Sequence, residues 1–303
     1  MNRLATEIAG ISMKNPVMSA SGTFGFGLEY QDFAPLEDLG AVVVKGTTLL
    51  PRAGNAGHRI AETPAGMLNA VGLENPGVDV FLTEILPKVS TYGTPIIINI
   101  SANTVEEYGI LAAKLAGAPI AGIEINISCP NVKQGGMAFG VQEESAASVV
   151  RAVKANTDKP VITKLSPNVT DIASMAKAVE EAGTDAISLI NTLLGMAIDI
   201  HSWRPILGNG MGGLSGPAVK PVAVRMVYQV AQAVSVPVIG MGGIMTAEDA
   251  VEFFLAGASA VAVGTANFMN PSAMVDVAAG LDDYLAKRGI SHISEIVGKV
   301  KFG

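Results

Sequence analysis

The sequence predicts a (β/α)8 barrel, because eight short apolar runs alternate with longer stretches of helical periodicity. The runs are rich in Val and Ile and are apolar on both faces, which is typical of parallel strands covered by helices. Strict strand–helix alternation favours a closed barrel over a doubly wound sheet. A Rossmann fold is disfavoured, because no G-x-G-x-x-G motif opens the first helix after a strand.

The predicted elements follow each other in order along the whole chain. The eight strands are predicted at residues 16–20, 41–45, 95–100, 122–127, 160–165, 186–191, 237–240 and 260–264. The helices are predicted at residues 77–89, 105–116, 143–156, 171–182, 220–233, 247–255 and 272–287. Thr104 and Thr246 each precede a pair of acidic residues, which is the pattern of a capped helix N-terminus. Since no linker divides the chain, we expect one domain over residues 1–303.

Composition excludes several classes of protein. The net charge is −7 and no basic block occurs, so nucleic acid is not an expected partner. The apolar runs are far shorter than the roughly 20 residues of a membrane-spanning helix, and no secretory signal is evident at the N-terminus. A single cysteine excludes an internal disulfide and a zinc or iron–sulfur site built on thiolates from this chain alone. We therefore expect a cytoplasmic protein without a metal site or a membrane partner.

Two long inserted segments, residues 47–76 and 192–221, follow the C-terminal ends of strands. Active sites of such barrels lie at that face, and loops of this length in a compact domain are usually functional. The last two strands end in the turns Gly242-Gly243 and Gly264-Thr265. These glycines either shape tight turns or let backbone N–H groups approach a phosphate. The place of both turns in the barrel favours phosphate binding.

Polar residues end nearly every predicted strand: Ser21, Lys45, Asn99, Asn126, Lys164 and Asn191. A lysine in an apolar strand end is costly unless it meets an anion or a hydrogen-bonded ligand. Each asparagine amide both donates and accepts hydrogen bonds. The set therefore suits a planar ligand with alternating C=O and N–H groups, such as a pyrimidine or an isoalloxazine ring.

Cys129 follows the fourth predicted strand. A lone cysteine is often a small buried hydrophobe, but this position at the barrel mouth favours a base or a nucleophile. His58, His201 and His292 lie in predicted loops or near the C-terminus, so a Cys–His dyad is disfavoured. No cluster of His and carboxylate residues in the sequence indicates a metal site.

Five short motifs together resemble class 1 dihydroorotate dehydrogenases: SASGTF at 19–24, KGTT at 45–48, NAVGL at 69–73, NISCPN at 126–131 and GMGG at 240–243. Three further tracts resemble the type B, NAD-linked catalytic subunit: NTLLGMAID at 191–199, GGLSG at 212–216 and KPVAVRMVYQV at 220–230. The order and spacing of these motifs extend the resemblance over essentially the whole chain.

This resemblance implies a TIM barrel that oxidises dihydroorotate to orotate in de novo pyrimidine (UMP) biosynthesis, with one FMN per chain. It implies that FMN is bound by Ser21, Lys45, Gly46, Asn99, Asn126, Lys164, Ile190, Gly216, Gly242, Gly243, Gly264 and Thr265. It implies that the substrate is bound by Lys45, Asn69, Ala70, Val71, Gly72, Leu73, Asn126, Asn131, Asn191 and Thr192. Cys129 would be the general base that takes a proton from substrate C5, while the hydride leaves C6 for FMN. Lys164 would stabilise negative charge on the reduced flavin.

The type B resemblance also implies a partner subunit that carries FAD and a 2Fe-2S cluster and passes electrons to NAD. The expected assembly is a heterotetramer of two catalytic and two electron-transfer subunits. A type A enzyme, which uses fumarate, and another flavin-dependent barrel acting on a uracil-type base remain alternatives. A barrel that only binds FMN or phosphate is disfavoured, because a binding module needs no base. The lid of the site is either residues 47–76 or residues 129–139.

Overall fold

Eight parallel strands form a barrel in the computed structural model, which describes residues 2–127 and 139–303. The barrel strands are β1 (Val17–Ser19), β2 (Val42–Thr47), β3 (Ile96–Ile100), β4 (Gly122–Asn126), β5 (Val161–Lys164), β6 (Ala186–Leu189), β7 (Val238–Met241) and β8 (Ala260–Val263). Each strand pairs with its sequence neighbours, and β8 pairs with β1. The predicted (β/α)8 barrel is confirmed, and the strand bounds differ from the predicted ones by one or two residues.

The contact between β1 and β2 depends on a side chain as well as on the backbone. A parallel bridge joins Met18 to Ala41. The Ser19 hydroxyl donates to the carbonyl of Val43 at 3.1 Å and accepts from its N–H at 2.9 Å. The hydroxyl therefore pairs backbone groups that the short β1 strand leaves open.

Helices lie between the strands and pack on the outside of the barrel. They are Val105–Leu115, Glu143–Lys154, Ile172–Glu181, Lys220–Ala231, Ala247–Ala256 and Ala273–Lys287. The helical segment after β2 is composite, with Val78–Val80, the π-helical Phe81–Ile85 and Leu86–Val89. Both predicted caps are confirmed, because Thr104 accepts from the N–H of Glu107 and Thr246 forms a capping box with Asp249. No helix in residues 2–127 or 139–303 is long and apolar enough to cross a membrane.

The barrel interior is apolar at one end and polar at the other. At the N-terminal end, the inward residues Ile97 and Ile162 pack in one cluster with residues of a hairpin formed by Thr6–Ile8 and Ile11–Met13. Two residues further along the same strands, the inward positions are Asn99 and Lys164. Because strand side chains alternate between faces, this switch places polar groups under the barrel mouth.

The two long inserts contain short strands. From the sequence they were predicted only as loops. Ile60–Thr63 and Gly66–Asn69 come from the first insert, and Leu193–Gly195 and Gly212–Ser215 come from the second. These four strands form one antiparallel sheet, in which Gly213 pairs with Asn69 and Ser215 with Met67. The inserts therefore form a single layer, which we call the mouth sheet.

Candidate active site

A pocket at the barrel mouth is enclosed by strand ends on one side and by the mouth sheet on the other. It contains many of the predicted site residues: Ser21, Lys164, Ile190, Gly216, Gly242, Gly243, Gly264, Thr265, Asn69, Val71, Asn191 and Thr192. These residues come from segments that are distant in sequence, and the parallel strands bring them to one face. The prediction that these residues meet at the barrel mouth agrees with this geometry.

The other predicted residues within the described part of the chain do not line this pocket. They are Lys45, Gly46, Asn99, Asn126, Ala70, Gly72 and Leu73. Asn126 is joined to the pocket residue Asn191 by a side-chain hydrogen bond of 3.3 Å. Cys129 and Asn131 lie outside the described residues, as does most of the candidate lid at 129–139, so their roles stay predictions.

Three glycines from two turns meet at one end of the pocket. Gly216, Gly242 and Gly243 all have positive φ, at 96°, 119° and 81°. A Cβ on Gly243 would lie 2.7 Å from Cβ of Lys220 and 2.9 Å from the carbonyl oxygen of Gly216. This crowding, together with the left-handed backbone, restricts the position to glycine. We call these three glycines the cradle, because glycine turns can let backbone N–H groups approach a phosphate.

A salt-bridge network holds the outer side of this cradle. Lys220 Nζ donates to Asp249 and to Glu252, each at 2.6 Å. These hydrogen bonds raise the pKa of Lys220 above its ordinary value of 10.5. Burial opposes ionisation of Asp249, but hydrogen bonds from Lys220 and two backbone N–H groups outweigh it and lower the pKa of that carboxyl. The positive charge of Lys220 is therefore paired with two carboxylates at the edge of the cradle.

The floor beneath the pocket is a buried polar cluster of Asn99, Glu124, Lys164 and Ser188, and of these four only Lys164 lines the pocket itself. Lys164 Nζ donates to Ser21 Oγ at 3.1 Å and lies 4.0 Å from Glu124 Oε1. Asn99 Nδ2 donates to the same carboxylate at 2.6 Å. Glu124 was not predicted as a site residue; the only signal in the sequence is a carboxylate within an apolar strand.

One acceptor in this cluster lacks a partner. Among the described residues, nothing donates to Oδ1 of Asn99, although the side chain is fully buried. A Cβ on Gly46 would lie 3.0 Å from this oxygen, so it faces the end of β2. A buried amide oxygen without a donor is costly, and a ligand with an N–H group would satisfy it.

The side of the pocket next to Asn191 is held by further amides. Asn168 Nδ2 donates to the carbonyl of Thr192 at 3.0 Å, and its Oδ1 accepts from the N–H of Leu194 at 2.9 Å. A Cβ on Gly213 would lie 1.9 Å from Thr192 Oγ1, so only glycine fits at that position of the mouth sheet. Asn168 and Gly213, which the sequence argument did not identify, therefore fix the position of Thr192.

The segment from Asn69 to Leu73 is braced by two asparagines. Asn55 donates from its backbone to the carbonyl of Val71 and from its side chain to that of Ala70, both at 2.9 Å. Asn75 Nδ2 donates to the carbonyl of Leu73 at 2.7 Å, and its Oδ1 accepts from the N–H groups of Thr48 and Gly77 at 3.1 and 2.9 Å. This bracing holds the segment in a defined turn beside the pocket.

Both described ends of the segment that follows β4 contact the same aromatic side chain. The Tyr108 hydroxyl donates to the carbonyl of Asn126 at 2.6 Å. The ring of Phe139 packs edge-on against Tyr108, with centroids 5.9 Å apart. Tyr108 therefore contacts residues on both sides of residues 128–138.

The mouth sheet also contributes apolar lining that the sequence argument missed, from Ile60, Met67 and Leu214. The pocket therefore has one apolar wall and one polar floor, which suits a flat ring with polar edges. In the described part of the chain, no group of three or more His, Cys, Asp or Glu residues is placed to bind a metal.

Comparisons with known proteins agree with this geometry. The family model described as "Dihydroorotate dehydrogenase" matches residues 3–285. A protein of Geotalea daltonii named dihydroorotate dehydrogenase B (NAD(+)), catalytic subunit, is 60% identical over 299 residues, which are 98% of each chain. Proteins with the same name are 58% identical in Anoxybacillus flavithermus, over 99% of this chain and 96% of the relative, and 60% identical in Desulforudis audaxviator, over 98% and 97%.

Proposed function

This chain belongs to the dihydroorotate dehydrogenase family, and from that membership we propose that it oxidises dihydroorotate to orotate with FMN in pyrimidine biosynthesis. One structural observation supports this function above the others. A glycine cradle and a buried polar floor, in which Asn99 Oδ1 has no donor among the described residues, lie at the same barrel mouth. The cradle matches the phosphate end of FMN, and the floor matches the polar edge of its ring.

The twelve residues given above by family resemblance are proposed to hold FMN. Gly216, Gly242 and Gly243 leave room for the phosphate. When bound, FMN supplies the acceptor for the hydride that leaves the substrate. Lys164 places a buried positive charge beside the ring, where it stabilises negative charge gained on reduction.

We place the substrate between the cofactor and the asparagine side of the pocket. The amides of Asn69, Asn126 and Asn191 donate to and accept from the ring carbonyl and N–H groups. Asn131 and Lys45 are proposed as additional contacts, and Ala70–Leu73 as the turn that closes around the substrate.

Cys129 is proposed as the general base, with its Sγ taking the proton from substrate C5. Cys129 lies three residues after Asn126, which is the last residue of β4. No histidine lines the pocket among the described residues, which supports a base of another type. A thiolate is a competent base near neutral pH when its surroundings favour ionisation.

The electrons are proposed to pass to NAD through a partner subunit that carries FAD and a 2Fe-2S cluster, in a cytoplasmic heterotetramer. The relatives are named as catalytic subunits, which supports assembly with another chain. A surface patch supports assembly as well. Large apolar side chains are exposed on the second insert: Leu194, Met196, Ile198, Ile200, Trp203, Ile206 and Met211. Patches of this kind typically mark contacts between proteins.

Substrate discrimination tests the proposed activity. The FMN-loaded chain should reduce an artificial acceptor with dihydroorotate and not with dihydrouracil. Fumarate should be a poor acceptor, because the proposed route leads through a partner subunit. Preferred turnover of dihydrouracil would identify a barrel for uracil-type bases instead, and rapid fumarate reduction would identify the type A class.

A further inference from the structure

Glu124 is a buried carboxylate that the proposed reaction does not use. It lies on β4 with its side chain 3% exposed, at an inward position directly beneath the pocket. Placing a carboxylate in a barrel interior is costly unless other groups compensate the charge. Its presence there therefore calls for a role that an apolar residue could not fill.

The carboxylate of Glu124 fixes the orientation of Asn99. It can only accept hydrogen bonds when ionised, so the amide of Asn99 presents its NH2 group to it, at 2.6 Å. The other end of the amide, Oδ1, is consequently turned away and has no donor among the described residues. Without Glu124, the amide would be free to turn and to offer a donor where the ring requires an acceptor.

The same carboxylate lies opposite the Lys164 ammonium, at 4.0 Å from Nζ, and both side chains are almost fully buried. In such a site a charge acts strongly on its surroundings, because little water screens it. The negative charge of Glu124 therefore offsets part of the positive potential that Lys164 creates at the pocket floor.

Ser188 completes the cluster by donating to Glu124 Oε2 at 2.8 Å. This contact holds the carboxylate in place and contributes no charge. Ser188→Ala removes a hydrogen bond from the same buried network but leaves the charges of Glu124 and Lys164 in place. It is therefore a matched control for the loss of the Glu124 charge.

We propose that Glu124 is a positioning residue of the cofactor site, which turns Asn99 Oδ1 toward the flavin and lowers the flavin reduction potential by countering Lys164. This inference rests on the proposed FMN-dependent function. Reduction adds negative charge to the ring, so a nearby carboxylate disfavours the reduced form. Glu124→Gln removes the charge but keeps a side chain of the same shape and an oxygen that can accept from Asn99.

The test is an anaerobic reductive titration of the FMN-loaded full-length chain against a reference dye. Glu124→Gln should shift the flavin potential to more positive values. We expect about a tenfold or larger rise in affinity for reduced over oxidised flavin, which is about 30 mV for a two-electron couple. Ser188→Ala should leave the potential at the wild-type value. An unchanged potential in Glu124→Gln, or an equal shift in Ser188→Ala, would overturn the inference.

Glu124→Asp decides the question if the Gln variant fails to fold or to hold FMN. It keeps the charge, so the potential should stay near wild type, but it shortens the reach to Asn99, so the FMN dissociation constant should rise severalfold. A positive shift as large as that expected for Glu124→Gln would contradict the role of the charge. If the wild-type chain itself binds no flavin, the proposed function fails. If the wild-type chain binds flavin but the Glu124 variants have the wild-type flavin potential and FMN affinity, only the inference about Glu124 fails.

Discussion

Asn191 Nδ2 donates to Asn126 Oδ1 across 3.3 Å, so an amide at the end of β4 holds the pocket-lining amide that follows β6. The Oδ1 atom of Asn191 accepts from the N–H of Thr192 at 2.8 Å, which fixes the orientation of the amide. The pair therefore presents a preformed set of polar groups to a ligand rather than two independent side chains.

Asn191→Ala should raise the KM for dihydroorotate by roughly tenfold or more, because a hydrogen bond to the substrate is lost and its partner is left unsatisfied. The FMN content of the purified chain should stay the same. Steady-state kinetics and flavin absorbance measure the two quantities. Asn156→Ala, which removes an exposed amide far from the pocket, is the control. Equal KM values for both variants would exclude Asn191 from substrate binding.

Gly243→Ala should weaken FMN binding by at least roughly tenfold, because a methyl group would enter the cradle at a strained left-handed position. Riboflavin binding should change much less, since riboflavin has no phosphate. Gly289→Ala is a matched control, because Gly289 also has positive φ, at 66°, but its Cβ would meet nothing within 4 Å. Fluorescence titration with both flavins distinguishes the outcomes; an equal loss of FMN and riboflavin would argue against a phosphate cradle.

Lys164→Met should slow flavin reduction by dihydroorotate or reduce FMN retention, because a buried charge is lost from the proposed flavin site. Single-turnover stopped-flow absorbance and flavin content check the two effects. Lys177→Met, on an exposed helix position, should leave both unchanged. Wild-type kinetics and wild-type retention in Lys164→Met would remove this lysine from the cofactor site.

The barrel could be predicted from the sequence because its signals are local. Val- and Ile-rich runs, cap residues such as Thr246 and glycine turns such as Gly242-Gly243 each depend on a few neighbouring residues. The mouth sheet could not be predicted in this way. Its strands have only three or four residues each, and the pairing of Gly213 with Asn69 joins segments far apart in sequence.

Residues at the ends of strands could be predicted to lie at the pocket from the sequence. Residues inside the strands were harder to predict. Ser21, Lys164 and Asn191 line the pocket as strand-end positions should. Glu124 and Ser188 were missed, because their inward orientation depends on the register of β4 and β6 in the closed barrel. The lining by Met67 and Leu214 depends on the mouth sheet, so no short motif marks it.

Cys129→Ser should keep FMN bound but slow flavin reduction strongly, because a hydroxyl is a much weaker base than a thiolate. In the wild-type chain the rate of the reductive step should rise between about pH 6 and 9, since a free thiol ionises near a pKa of about 8.5. Stopped-flow reduction over this range measures the profile. A flat profile in the wild type would rule out a thiolate base.

Asp249→Asn should lower stability in a pH-dependent way. The pKa of Asp249 is lowered from its ordinary value of 3.8 in the folded chain, so its contribution is present above that pH and is lost as the pH falls through the folded pKa. The raised pKa of Lys220 keeps the lysine charged until the pH exceeds 10.5. The variant should therefore be less stable by about 1–2 kcal/mol at pH 7, and the difference should shrink below pH 3.8.

Urea unfolding at a series of pH values measures this difference. Asp283→Asn is the control, because its carboxylate is 73% exposed and pairs only weakly with Lys287 at 3.7 Å. A constant difference between wild type and Asp249→Asn from neutral to acidic pH would show that the charge of Asp249 contributes nothing.

The most direct test of the central claim is an anaerobic titration of the purified, FMN-loaded chain with dihydroorotate, followed by flavin absorbance. Oxidised flavin should bleach in proportion to added dihydroorotate, with orotate formed in equal amount, and dihydrouracil should leave the spectrum unchanged. A colourless purified chain that takes up no FMN, or a flavin that stays oxidised with excess dihydroorotate, would contradict the proposed function.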